Sequence, residues 1–168
     1  MAFETFRIHG PGGVIERPAE PIAERARVHR GPTRITADQV PVTDIMTRQV
    51  VCAFPDLGLG ALLEVMIQER LGCMPVVDEG VQPIGMVTKL DIVEHLAAPP
   101  SKPSQLATDV MMPLAITLDD NATVAHAAAL MASEDMHHVM IVSERRLVGI
   151  VSTMDITRWL AQNNGLKR

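Results

Sequence analysis

Aromatic side chains are nearly missing: the 168 residues hold no Tyr, one Trp and three Phe. Single-stranded nucleic acids are held largely by bases stacking on aromatic rings, so a stacking platform is excluded. The core must instead come from Leu, Ile, Val, Ala and eleven Met, which fills space adaptably rather than rigidly. A basic surface is lacking as well. Net charge is −5, and residues 1–40 take six Arg against five acids, leaving nine bases and fifteen acids for the rest. An acidic body disfavours nonspecific binding to phosphate backbones. Cysteine is limited to Cys52 and Cys73, with no CxxC pair. These read as small buried hydrophobes in a reducing cytoplasm. The start Met-Ala-Phe-Glu-Thr-Phe-Arg is not signal-like, and no apolar run approaches the roughly 18 residues of a membrane span. A soluble, cytoplasmic protein is expected. Enzyme signatures are missing too: there is no GxxxxGK[ST], HExxH or GxSxG, and no carboxylate pair at a telling spacing.

What is present is a repeat. Thr43-Asp44-Ile45-Met46 returns as Thr108-Asp109-Val110-Met111, and Met66, Glu69 and Val77 fall on Met131, Glu134 and Val142. After one deletion, Gly85, Val87, Asp91, Ile92 and Leu96 fall on Gly149, Val151, Asp155, Ile156 and Leu160. Two copies of one small unit, each too short to bury a core alone, are expected to stack by pseudo-twofold symmetry with matched clefts at their junction.

Each copy reads in the same order. A short extended stretch (Gln49 to Cys52; Ala115 to Leu118) precedes a helix with Leu59, Leu62, Leu63, Met66 and Ile67 on one face. Val124, Ala127, Ala128, Met131 and Ala132 form the matching face of the second copy, capped from the run Asp119 to Thr123. Two short apolar strands follow (Met74 to Val77 and Ile84 to Val87; Val139 to Val142 and Leu147 to Val151), then a helix from Thr88 or Ser152. The order β-α-β-β-α, twice, gives an α/β (α+β) class in which each small sheet packs on two helices. The expected organisation is a Pro/Gly/Arg-rich arm over 1–40, repeats over 41–97 and 108–162, a Pro/Ser linker over 98–107 and a tail over 163–168. The arm reads as flexible or partly ordered, with a short helix near Ile22 to His29 and a part in contacting a partner.

The sharpest local signal is Gly85-Met86-Val87-Thr88-Lys89-Leu90-Asp91, repeated as Gly149-Ile150-Val151-Ser152-Thr153-Met154-Asp155. Glycine lets a ligand or backbone approach closely, and a helix start offers N–H groups suited to phosphate. A carboxylate one turn on suits a sugar diol. The same residues also fit a capping box that only starts a helix, and both readings stand. His137-His138 fits phosphate contact, a surface or packing role, or a metal, although neither His126 nor the cysteines lie at a metal-ligand spacing. His9, His29 and His95, like Arg48, Arg70, Lys89 and Arg158, read as solvated.

Thr-Asp-x-Met, Met-Pro-Val-Val-Asp and Gly-x-Val-Thr-x-x-Asp together resemble the tandem CBS (cystathionine beta-synthase type) domain, from about Val42 to Ala161. The resemblance implies a non-catalytic regulatory module that binds an adenosine-containing ligand such as AMP, ADP or ATP, with S-adenosylmethionine and NAD as further members of that class. It also implies a homodimer that signals to a separate protein target, with no required cofactor and no nucleic-acid or membrane partner. By position, Asp91 and Asp155 match the family's ribose-binding carboxylates, Thr88 and Ser152 the hydroxyls near ribose and phosphate, and Met86 and Ile150 the residues flanking the base. His137 and His138 match phosphate-contacting basic residues. Gly72 and Cys73 replace them in the first copy, and Met140 replaces the proline kept at Pro75, so the two sites are expected to be unequal. A dimerisation scaffold with unoccupied clefts is the alternative.

Overall fold

Strand alternation begins early in the chain. The structure, a computed structural model, describes residues 5–18, 36–99 and 105–163. Phe6 and Ile8 are buried while Arg7 and His9 alternate with them. Thr5–Gly10 (β1) pairs antiparallel with Gly13–Pro18 (β2), with Pro11-Gly12 as the turn and Gly13 at φ 113°. The Gly-Pro-Gly-Gly stretch therefore closes a hairpin, and this part of the arm belongs to a sheet. The helix expected near Ile22 to His29 lies outside the described residues.

The chain divides into two compact units. In the first, β1 pairs parallel with Val51–Ala53 (β3), which pairs parallel with Cys73–Val77 (β4), which pairs antiparallel with Pro83–Thr88 (β5). The sheet order is β2-β1-β3-β4-β5. A parallel β3–β4 pair requires a crossover, which Leu59–Gln68 (α1) supplies. Lys89–Ala97 (α2) and the single turn Ala107–Val110 (α3) complete the unit. Val51, Ala53, Met74, Val76 and Val87 from the strands meet Leu59, Leu62, Met66, Ile92, Ala107 and Val110 from the helices in one core.

The second unit is a three-stranded sheet, Thr117–Asp119 (β6), His138–Ser143 (β7) and Arg146–Ser152 (β8), in that order. Val124–Ser133 (α4) and Thr153–Asn163 (α5) flank it. Its core joins Val42, Met46, Val124, Ala127, Met131, Val139, Ile141, Val148, Val151 and Ile156, with Trp159 packed against it. Thr123 caps α4, as the Asp119 to Thr123 run led us to expect: its hydroxyl accepts from His126 N at 3.4 Å, and His126 Nδ1 accepts from Thr123 N at 3.3 Å.

Two details recur in both copies. Residues 48–99 and 105–116 belong to the first unit and residues 36–47 to the second, so the first Thr-Asp-x-Met motif folds with the strands of the second repeat. The second motif, on α3 and Met111, folds with the strands of the first. Both α1 and α4 also end in a left-handed residue, Arg70 at φ 55° and Asp135 at φ 51°. The next N–H groups reach back to the helix, Leu71 N to Met66 O at 2.9 Å and Met136 N to Met131 O at 3.0 Å. This backbone closure ordinarily uses glycine.

Candidate functional site

The two Gly-to-Asp turns are built alike. β5 ends at Thr88, whose extended backbone stops the strand and caps α2. Asp91 Oδ2 accepts from both Thr88 N and Thr88 Oγ1 at 2.6 Å, and Asp91 N donates to Thr88 Oγ1 at 3.2 Å. In the second unit Asp155 Oδ2 accepts from Ser152 N at 2.8 Å and from Ser152 Oγ at 2.5 Å, and Asp155 N donates to Ser152 Oγ at 3.2 Å. The capping box is therefore formed in both copies. It occupies Oδ2 of each carboxylate and leaves Oδ1 outside the box.

The two Oδ1 oxygens differ. Among the described residues Asp91 Oδ1 has no protein partner, whereas Asp155 Oδ1 accepts from Arg158 Nη1 at 3.1 Å. Arg158 thus departs from the solvated role read from sequence, although its side chain is still 61% exposed against 15% for Asp155. The helix starts are also less open than expected. Lys89 N donates to Gly72 O at 3.3 Å and Thr153 N to His137 O at 3.0 Å. With the N–H groups of the cap and the third position already bonded, little of the backbone donor set is left for phosphate.

Met86 and Ile150 are placed by backbone pairing with the residue just after each Thr-Asp-x-Met motif. Met86 N donates to Met112 O at 3.3 Å and Met112 N to Met86 O at 2.9 Å; Thr47 and Ile150 exchange the same pair at 2.8 and 3.0 Å. Their side chains alone remain for a ligand. Met86 is buried and Ile150 half-buried, a first asymmetry between the copies.

His137 is exposed and His138 half-buried at the start of β7. Burial, then the neighbouring His137, holds the His138 imidazole below its ordinary value, with Asp155 acting in the opposite direction. In the first unit Gly72 and Cys73 carry no charge at these positions, and burial pushes the Cys73 thiol up to about 12. Burial also pushes up the Cys52 thiol, so both are inert. His9 and His95, expected in solvent, instead have a buried Nε2 with no partner among the described residues. His29 lies outside them. Arg70 and Lys89 line a groove of about 420 Å³ with Leu63, Met66, Ile67 and Val93. No three His, Cys, Asp or Glu side chains converge to hold a metal ion among the described residues.

A duplicated strand-to-helix turn with a carboxylate held in a capping box defines a tandem α/β module of two repeats. The chain belongs to the CBS domain family, which matches residues 42–98 and 107–162. Uncharacterized protein MJ1404 of Methanocaldococcus jannaschii is 32% identical over 133 residues, covering 71% of this chain and 32% of the relative, so the chain spans about a third of that protein. Among solved structures, the CBS domain pair of protein MJ0100 in complex with 5′-methylthioadenosine and S-adenosyl-L-methionine has a TM-score of 0.66 at 27% identity, covering 73% of this chain and 97% of that one. Hypoxic Response Protein I with two coordinated zinc ions has a TM-score of 0.65 at 29% identity, with coverage of 72% and 99%.

Proposed function

We propose that the protein is a non-catalytic regulatory module that binds an adenosine-containing ligand at the Asp91 and Asp155 turns and passes the change to a separate protein. The observation that carries this reading is the carboxylate held by a capping box through Oδ2 just after a glycine-containing strand, with Oδ1 outside the box, duplicated in both units of a chain whose family relative holds two adenosyl ligands. A carboxylate oxygen fixed this way accepts hydrogen bonds from a ribose diol. Thr88 and Ser152 border the sugar, and Met86 and Ile150 offer apolar surface to the base. AMP, ADP and ATP head the set of ligands, with S-adenosylmethionine and NAD in the same class. For binding to signal, the ligand must favour one arrangement of the protein over another.

Two copies associate in this reading. Leu90, Val93 and Leu96 on α2 are 64%, 62% and 60% exposed, and Ile67 on α1 is 74% exposed, an apolar flank that water does not favour. The same flank supports a second reading, a dimerisation scaffold whose sites stay empty. The free, buried Cys52 and Cys73 suit a reducing, cytoplasmic setting. Among the described residues no helix is long and apolar enough to cross a membrane.

Thermal unfolding with AMP, ADP, ATP, NAD and S-adenosylmethionine, after removal of copurified ligand, tests the reading. Ligand at 100 times its dissociation constant adds about 2.7 kcal/mol, a rise of several degrees. A selective rise supports the sensor and names its signal. A flat response to all five leaves the scaffold as the better account.

A further inference from the structure

The third position after each ribose-facing Asp carries opposite charge in the two copies: Arg158 follows Asp155, and Glu94 follows Asp91. Residues three apart share a helix face, so each side chain lies on the same face as its carboxylate. We propose that Arg158 and Glu94 set the charge selectivity of the two sites, so that the second unit takes phosphorylated adenosyl ligands and the first takes uncharged or cationic ones. This rests on the ribose reading of Asp91 and Asp155 given above.

The geometry supports the assignment in the second unit. A guanidinium has five N–H donors in a rigid fork, and Arg158 Nη1 directs one to Asp155 Oδ1 at 3.1 Å. The rest of this largely exposed side chain remains available to an anion beside the sugar. Carboxylate oxygen Oδ1 has two lone pairs, so it accepts from Arg158 and from a ribose hydroxyl together. A phosphate then gains a charged, two-sided contact, while an uncharged nucleoside gains nothing from Arg158 and shares Oδ1 with it. His137 adjoins the same turn, its carbonyl accepting from Thr153 N at 3.0 Å, and Arg158 adds there a group that stays charged throughout the neutral range.

In the first unit the corresponding charge is reversed. Glu94 is exposed on α2 one turn beyond Asp91, whose Oδ1 is unshared among the described residues, so this helix start carries two negative charges where the second unit carries an ion pair. Gly72 and Cys73 supply no compensating cation, and Lys89 lines the groove beside α1. Such a site repels phosphate and accepts a neutral thioether or a sulfonium.

Calorimetric titration of the full chain with AMP and with 5′-methylthioadenosine separates the possibilities. Asp91→Asn leaves the second site to be read, and Asp155→Asn leaves the first. In the Asp91→Asn background, Arg158→Gln should weaken AMP roughly ten- to hundredfold and leave 5′-methylthioadenosine unchanged or tighter. In the Asp155→Asn background, Glu94→Arg should tighten AMP by a similar factor without moving 5′-methylthioadenosine. Both substituted side chains are exposed, so thermal unfolding of each variant should match its background. If Arg158→Gln and Glu94→Arg shift both ligands equally, or neither, while the Asp variants still abolish their sites, the selectivity proposal is overturned and the ribose reading survives. If the Asp variants leave binding of both ligands intact, the ribose reading itself fails and takes the proposal with it.

Discussion

Met111 lies so close over Gly85 that a methyl group there would sit 2.7 Å from its sulfur and 2.6 Å from the carbonyl oxygen of Met112. The second unit repeats the arrangement with Met46 over Gly149, where the nearest backbone atom, Thr47 O, would be 3.1 Å from the added carbon. Neither glycine has a positive φ, so the requirement is for space rather than for backbone freedom. Each motif's methionine is the lid on the other repeat's glycine, which is why the two signatures occur together.

Gly85→Ala is therefore expected to cost about 1–3 kcal/mol, because a backbone carbonyl cannot step aside. Gly149→Ala should cost less, since the closest atom is the flexible end of Met46. Urea unfolding of the two variants in parallel checks the ranking, and an equal cost would contradict it.

Asp155→Ala should weaken the adenosyl ligand ten- to hundredfold, the effect of losing a charged acceptor of about 1.5–3 kcal/mol. It also removes the carboxylate that accepts from Ser152 N and Oγ, the return half of the capping box, for a further stability loss of about 1 kcal/mol, while the bond from the backbone N of residue 155 to Ser152 Oγ persists. Titration well below the variant's unfolding temperature keeps the two effects apart. Unchanged affinity would remove Asp155 from the site.

Arg70→Gly and Asp135→Gly should each stabilise the protein by about 0.5–1 kcal/mol. Both side chains are exposed and both residues occupy left-handed backbone that costs a residue with a Cβ about 1–2 kcal/mol, partly offset by the greater freedom of glycine in the unfolded chain. A fall in the denaturation midpoint for either variant would show that its side chain contributes more than its exposure indicates.

Stability should decline on mild acidification. Burial holds His138 below its ordinary value of 6.5, and burial followed by Arg7 does the same to His9. The unfolded chain therefore takes up protons first as pH falls past 6.5, and stability drops until the folded-state values are passed. Above 6.5 both states are neutral at these groups and the contribution is flat. Asp155 and Glu69 each oppose the shift at their respective histidine, so they narrow this window. Unfolding curves at pH 7.5 and 5.5 should converge in part for His138→Gln, leaving the share that belongs to His9.

Leu90→Glu combined with Val93→Glu should yield monomers with little loss of stability, because both side chains are already in water in the single chain. Sedimentation velocity at micromolar concentration is the measurement. A dimer that persists would place the contact elsewhere.

The repeat was legible because identities spaced along two copies survive without any knowledge of contacts, and the strand and helix order followed from apolar spacing. The hairpin of β1 and β2 was less visible: Phe6-Arg7-Ile8-His9 alternates over too few residues to stand out, and Gly10-Pro11-Gly12-Gly13 signals a break equally well in a loop. Arg158 was passed over because an exposed arginine has no sequence mark of its own. The signal was its spacing of three from Asp155, read against Glu94 in the other copy. Of the two readings of the Gly-to-Asp turn the capping box is the one seen, and because it takes one oxygen of each carboxylate it leaves the other for the proposed ribose contact. Which sheet each Thr-Asp-x-Met segment joins was beyond the sequence, as similarity between copies says nothing about exchange between them.

That exchange bears on ancestry. A chain with one copy would carry its own methionine motif but not the other copy's segment that lids its glycine, nor, for the first unit, the Ala107 and Val110 that close its core. It could have completed itself only by trading those segments with a sister chain. A tandem pair supplies both segments within one molecule, and its two copies, unlike identical sister chains, can differ, as they do at Glu94 and Arg158.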